Sequence, residues 1–179
     1  EDKYHVDGEL VPATEATVNV RDRGFMYGDG ALETLRIYGG TPFEWKAHAD
    51  RLRQSCETLG FADALPPAAN LRERIVETVT ANDLTDAYTK LSVTRGVQPG
   101  KLTPEEQVDP TIVVIVAELP RGGIDGSRVW DEPASLGTVE RIRIPDEAIP
   151  ADTKTHNYLN GILARLDIRE SDHDEAIMC

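Results

Sequence analysis

Arg21-Asp22-Arg23-Gly24-Phe25-Met26-Tyr27-Gly28-Asp29-Gly30-Ala31-Leu32-Glu33-Thr34-Leu35-Arg36 is the stretch on which the reading of this 179-residue chain turns. Its glycines invite a dinucleotide-binding loop. The third glycine of that fingerprint is missing, because Glu33 stands in its place, and a strand follows where a helix should begin. Ala31 to Tyr38 has the composition of a strand, Gly39–Gly40 supplies a tight turn, and Thr41 to Trp45 returns.

Working outward, Lys3 to Val11 reads as two short strands around the hairpin dipeptide Asp7–Gly8. Trp45, Ala49, Leu52, Cys56 and Leu59 recur at helical steps, and Gly60 ends that helix from the C′ position. A second helix is expected over Ala69 to Ala81, with Leu71, Ile75, Val76 and Val79 on one face. Strands follow at Ala87 to Thr94 and Thr111 to Ala117, separated by a loop from Gly96 to Pro110. Pro120, Gly122, Gly123, Gly126 and Pro133 mark a linker. Beyond it come a strand at Thr138 to Ile144, a turn at Ile149–Pro150 and a helix striped by Leu159, Ile162, Leu163 and Leu166. A further strand opens at Ala176 to Cys179. The pattern predicts an α+β fold: residues 1–119 as a two-layer domain of sheet and helices, 120–133 as linker, and 134–179 as the start of a second α/β domain. A domain that stops one strand after its first helix is expected to be incomplete.

The chain carries 32 acidic and 19 basic residues, a formal charge of −13, and only five lysines. Nucleic acid demands clustered cations, so that balance excludes it as a partner. Scattered acid with few lysines suits a protein kept soluble in high salt, a halophilic setting. No apolar run approaches the roughly 18 residues of a membrane span, so no membrane association is expected. Cys56 and Cys179 lie too far apart in sequence to read as a metal or redox pair, and Cys56 falls on an apolar helical stripe. With no signal-peptide pattern, these features predict a cytoplasmic protein.

Several chemistries drop out. There is no Walker loop and no Gly-x-Ser-x-Gly elbow, and Ser92 alternates within a strand without a nearby histidine in sequence. Asp172-His173-Asp174 reads as a solvated acidic turn, since three consecutive residues point in different directions, and no metal site is expected.

Four segments carry a specific pattern together. The run from Arg21 to Arg36 resembles the opening signature of class IV aminotransferases, R-G-x-x-[YF]-G-D-G-x-[FYL]-E-x-[IL]-R. His48-Ala49-Asp50-Arg51-Leu52 resembles that family's H-x-x-R-L helix, and Val93-Thr94-Arg95-Gly96 its T-R-G strand end. Lys154-Thr155-His156-Asn157-Tyr158-Leu159-Asn160 resembles its K-x-x-N-x-L segment. The matches stand in family order and span nearly the whole chain.

The resemblance implies the D-amino-acid aminotransferase-like fold and pyridoxal 5'-phosphate as cofactor, held by Lys154 as a Schiff base, with Arg51 on its phosphate. A lysine used in this way must spend time neutral, which burial and nearby positive charge promote. Tyr27 and Arg36 match pocket-lining residues of the branched-chain enzymes, and Tyr88 and Lys90 match a Tyr-x-Arg pair that binds substrate carboxylate. Lysine for arginine loses the two-pronged donor there. Arg95 either lines the pocket or anchors the strand end. Leu32 stands where the D-amino-acid enzymes place a tyrosine, and their arginine near Gly100 is absent, which counts against D-amino-acid specificity. The implied activity is amino transfer between an amino acid, branched-chain L-amino acids foremost, and a 2-oxo acid, in a homodimer. The lysine segment equally suits 4-amino-4-deoxychorismate lyase, which shares fold and cofactor. The family's chain continues past the point matching Cys179, and that part holds the carboxylate that pairs with the pyridine nitrogen. A truncated, inactive relative is therefore the third reading.

Overall fold

The computed structural model describes residues 1–119 and 133–179, and the expected linker falls almost wholly outside the described residues. These divide into two compact units, one of residues 1–119 with 152–156, the other of the described remainder.

The first unit is a six-stranded antiparallel sheet with two helices on one face. Its strands are β1 (Lys3–Val6), β2 (Glu9–Pro12), β3 (Gly30–Tyr38), β4 (Thr41–Pro42), β5 (Ala87–Thr94) and β6 (Ile112–Glu118), in the order β2-β1-β6-β5-β3-β4. The helices α2 (Trp45–Thr58) and α3 (Ala68–Ala81) follow a five-residue helix, α1 (Arg23–Tyr27). Asp7 and Gly8 both take positive φ, 48° and 104°, as a two-residue hairpin turn requires. Gly60 sits at φ 76° just past α2, and the amide of Phe61 reaches back to the Cys56 carbonyl, a glycine-terminated helix end. Ala31, Leu35 and Ile37 of β3 pack with Leu91 and Val93 of β5 and Val114 and Val116 of β6 against Leu52 and Cys56 of α2 and Leu71, Ile75 and Val79 of α3. Burial pushes the Cys56 thiol up to about 12, so it is an inert packing group.

α1 has no counterpart in the sequence reading, because five residues are too few to show a period. Local hydrogen bonds make it instead. The Asp22 carboxylate accepts from the Gly24 amide at 2.7 Å, and Gly28 closes the turn at φ 68°.

His5 is buried in the layer between β1 and the helices, and its Nδ1 finds no hydrogen-bond partner among the described residues. Burial lowers its pKa, the Arg74 charge adds to this, and Glu77 and Asp7 oppose it. A histidine held neutral in the fold binds fewer protons than its unfolded counterpart, so its contribution to stability is lost as pH falls below the unfolded value near 6.5. Chemical denaturation at pH 7 and pH 5 should therefore show the wild type losing stability relative to a His5→Phe variant. Parallel behaviour of the two proteins would contradict this.

The second unit pairs β7 (Leu136–Val139) in parallel with β8 (Glu175–Met178), joined through the helix α4 (Leu159–Asp167). β7 stops five residues before the end expected for this strand. The Asn160 side chain takes over the backbone there, accepting from the Ile144 amide and donating to the Ile142 carbonyl, while Arg141 forms a two-pronged pair with Asp167.

Candidate functional site

β3 decides what each face of the first unit can do. Its register against β5 sets Leu32 opposite Ser92, Thr34 opposite Lys90, and Arg36 opposite Tyr88, all on the face turned away from α2 and α3. Three of the residues expected to contact substrate, Arg36, Tyr88 and Lys90, thus lie on one patch of sheet, where Arg36 and Tyr88 are exposed. Arg36 also donates to the Tyr38 hydroxyl at 3.1 Å.

Residues 152–156 return to this sheet. Ala31 and Thr155 form an isolated antiparallel bridge, the Leu32 amide donates to the Lys154 carbonyl at 3.0 Å, and the His156 amide donates to the Gly30 carbonyl at 3.0 Å. The Lys154 amide donates to Ser55 Oγ at 3.0 Å, and Gln54 donates to Asp152 at 2.6 Å, so α2 holds the segment too. A β-carbon at Gly30 would lie 2.7 Å from the Val93 carbonyl oxygen and 3.2 Å from the His156 ring, so glycine is what lets the segment lie close. Ala31, Thr153 and Thr155 are buried, whereas Lys154 and His156 are only partly so. The alternation turns Lys154 and His156 to the face that carries Leu32, Thr34 and Arg36. Burial lowers the pKa of His156, the Lys90 charge lowers it further, and the Ala31 backbone bond and Asp22 work the other way. Its Nε2 is buried without a hydrogen-bond partner among the described residues.

Arg51 lies on α2 one turn before Ser55. It grips Glu33 of β3 with two hydrogen bonds, Nε to Oε1 at 2.7 Å and a terminal nitrogen to Oε2 at 2.6 Å. His48 Nδ1 meets the same carboxylate at 2.7 Å. Glu33 is fully buried, while the Arg51 side chain keeps 45% of its surface exposed. Ser55, one turn after Arg51 on α2, binds the Lys154 backbone amide, so the backbone of Lys154 lies against the same stretch of helix.

Tyr27 and Arg95 sit at the Gly30 end of β3, opposite the Arg36 end. Arg95 is buried, donating to Asp29 at 2.8 Å and to the Leu59 carbonyl, with its guanidinium 4.8 Å over the Phe61 ring. Arg23 donates to the same Asp29 oxygen at 2.7 Å and to the carbonyls of Lys101 and Leu102, and lies 5.0 Å over the Tyr27 ring. These contacts make Arg95 an anchor for the strand end. Thr94 donates to Asp22 at 2.8 Å, and a β-carbon at Gly96 would fall 1.9 Å from the Asp109 carbonyl oxygen. Much of the opening motif is thus a frame that holds β3 and β5 in register. Glu33, Ser55 and His156 had no role assigned from sequence. Glu33 alone left a signal there, as an acid on the strand parity that carries Ala31, Leu35 and Ile37 into the core.

The profile of the class IV amino-transferases matches residues 30–179. A protein of Methanocaldococcus jannaschii with a provisional branched-chain-amino-acid aminotransferase name is 36% identical over 177 residues, 98% of this chain and 59% of that protein. A D-alanine aminotransferase of Listeria monocytogenes is 31% identical, with 98% and 59% covered. Among solved structures, the branched-chain aminotransferase of Thermoproteus uzoniensis with norvaline superposes with a TM-score of 0.85 at 26% identity, over 99% of this chain and 59% of that one. The 4-amino-4-deoxychorismate lyase of Pseudomonas aeruginosa gives 0.78 at 31% identity, with 98% and 60% covered. The chain belongs to the class IV aminotransferase family, and its α+β fold is that of the N-terminal part of these structures. It spans about three-fifths of the length of the relatives it matches.

Proposed function

We propose that the full-length protein is a pyridoxal-phosphate-dependent aminotransferase that moves an amino group between an amino acid, branched-chain L-amino acids foremost, and a 2-oxo acid. The observation that carries this reading is the pinning of the Lys154 backbone to Ser55 and Leu32, beside an arginine oriented by a buried carboxylate. The aldehyde and the phosphate ester occupy neighbouring ring positions in the cofactor, so its lysine and its phosphate donor must stand close together. The Lys154 backbone and Arg51 both lie against α2, which supports that pairing. Bound cofactor would supply an aldehyde to accept the amino group and a ring that withdraws electrons from the substrate's Cα.

In this reading Lys154 offers the amine that holds the aldehyde, and Arg51 presents N–H donors to the phosphate. Lys90, Tyr88 and Arg36 offer cationic and hydroxyl donors to the substrate carboxylates from one sheet face, and Tyr27 lines the pocket. Arg95 acts on that pocket only through the strand end it anchors. We read residues 1–119 as a small domain, 120–133 as its linker and 134–179 as the opening of the cofactor-binding domain. The same reading makes the protein a cytoplasmic homodimer, with a high acidic charge suited to salt-rich surroundings.

The likeness to 4-amino-4-deoxychorismate lyase supports a second reading, cofactor-dependent elimination of pyruvate to give 4-aminobenzoate. One pair of assays separates the two. The transaminase reading expects glutamate from leucine and 2-oxoglutarate, dependent on added cofactor. Pyruvate release from 4-amino-4-deoxychorismate without glutamate formation would establish the lyase instead. Neither product, together with no cofactor binding, would leave an inactive relative.

A further inference from the structure

We infer that Glu33 is a positioning residue for the cofactor's phosphate: it fixes the guanidinium of Arg51, with His48 steadying the carboxylate, so that Arg51 binds as an oriented fork. The inference rests on the reading of Arg51 given above and goes one shell beyond it.

Glu33 occupies a position that the packing of the sheet would otherwise give to an apolar side chain. Its neighbours of the same parity, Ala31, Leu35 and Ile37, all belong to the core beneath α2 and α3. A fully buried carboxylate costs several kcal/mol in desolvation unless hydrogen bonds replace its water. Here three do, at 2.7, 2.6 and 2.7 Å, two from Arg51 and one from His48. The three side chains come from two elements, β3 and α2, so the cluster also sets the rotation of α2 against the sheet.

The asymmetry of burial says what the cluster is for. Glu33 is fully buried, His48 keeps 20% of its surface exposed and Arg51 keeps 45%. The carboxylate is thus the fixed end, and the arginine is the partner whose side chain reaches solvent. An arginine on an exposed helix face normally samples many rotamers, and binding an anion must first freeze them. Two bonds to a rigid acceptor remove that freedom before any ligand arrives, and a planar guanidinium held at two points has its remaining plane defined. Glu33 also neutralises the formal charge of Arg51. The pair therefore recognises phosphate through directed hydrogen bonds more than through net charge, which suits a chain whose overall charge of −13 repels anions.

The test compares pyridoxal phosphate with pyridoxal, which has the aldehyde but no phosphate, as ligands of the full-length apoprotein. The ratio of the pyridoxal dissociation constant to the pyridoxal phosphate dissociation constant isolates the phosphate contact from the lysine chemistry. In Glu33→Gln that ratio should fall about tenfold, the scale on which residues behind a directly bound ligand act, with pyridoxal affinity unchanged. Arg51→Met should lower it at least as far, and the double variant should go no further than Arg51→Met alone. Should Glu33→Gln fail to fold, Arg51→Lys carries the test. It keeps a cation but cannot grip Glu33 at two points, so the same fall is expected, and a retained ratio would overturn the inference. A wild-type ratio in Glu33→Gln, with a lowered one in Arg51→Met, would overturn the role of Glu33 and leave the proposed function standing. A ratio unaffected by Arg51→Met would remove Arg51 from the phosphate and the inference with it.

Discussion

Replacing Asp29 by asparagine is expected to destabilise the protein by about 3–5 kcal/mol, the range for breaking a buried ion pair from one side. Asp29 accepts from two arginines at one oxygen, at 2.7 Å from Arg23 and 2.8 Å from Arg95, whose side chains keep only 4% and 7% of their surface exposed. The asparagine variant leaves both guanidinium groups buried beside a neutral amide that can also clash through its own N–H groups. The lost contacts run further than the pair. Arg23 secures the loop at Lys101 and Leu102, and Arg95 secures the end of α2 at Leu59. For a chain of this size, each kcal/mol moves the melting temperature by about 2–4 °C. Lys46→Ala makes the control, since its pair with Asp50 is exposed on both sides and should contribute little.

The pH dependence of that deficit follows from the same contacts. Burial pushes the Asp29 carboxyl up, but the hydrogen bonds and charges of Arg95 and Arg23 outweigh it and hold its pKa below the ordinary 3.8. A depressed carboxylate stabilises the fold fully above the unfolded pKa and ceases to do so as pH falls through the folded one. The difference between wild type and Asp29→Asn should thus be constant at neutral pH and shrink below pH 3.8. A difference that persists unchanged at pH 2 would show that geometry, and not charge, carries the effect.

Lys154→Ala should lower amino transfer by about a thousandfold or more, the upper part of the range for losing a group that handles protons at the reacting centre. The backbone contacts that dock residues 152–156, from the Lys154 amide to Ser55 and from the Leu32 amide to the Lys154 carbonyl, survive the change. The expected signature is therefore activity gone from a protein that still unfolds cooperatively. A variant that loses both would point to a structural lysine.

The sequence disclosed those parts of the fold whose causes are local. The Asp7–Gly8 hairpin and the glycine end of α2 depend on a backbone conformation that only a few residue types adopt, and both stand where expected. β3 and β5 were legible as strands, whereas their pairing and its register come from contacts between segments fifty or more residues apart and show only in the structure. α1 was not legible, because a side-chain cap and a left-handed glycine make it, without any periodic stripe. The shortened β7 was also hidden, since Asn160, sixteen residues beyond Ile144, decides it.

The candidate site divides in the same way. Residue types marked Arg51 and Lys154 through the resemblance alone, because nothing nearby in sequence singles them out. Asp29 pairs with Arg95 across 66 residues, so its structural duty could not be read from spacing. Glu33 is the intermediate case. A charged residue on the buried parity of a strand announces that a partner must exist, while leaving open that the partners are His48 and Arg51.

The most direct test of the central claim is to mix the full-length protein with pyridoxal phosphate, record its visible spectrum, reduce with borohydride and map the modified peptide by mass. A band at about 410–430 nm is expected, as for a lysine-bound aldehyde, with a single stable label on Lys154 that Lys154→Ala abolishes. No band, or a label on another lysine with Lys154 unmodified, would contradict it.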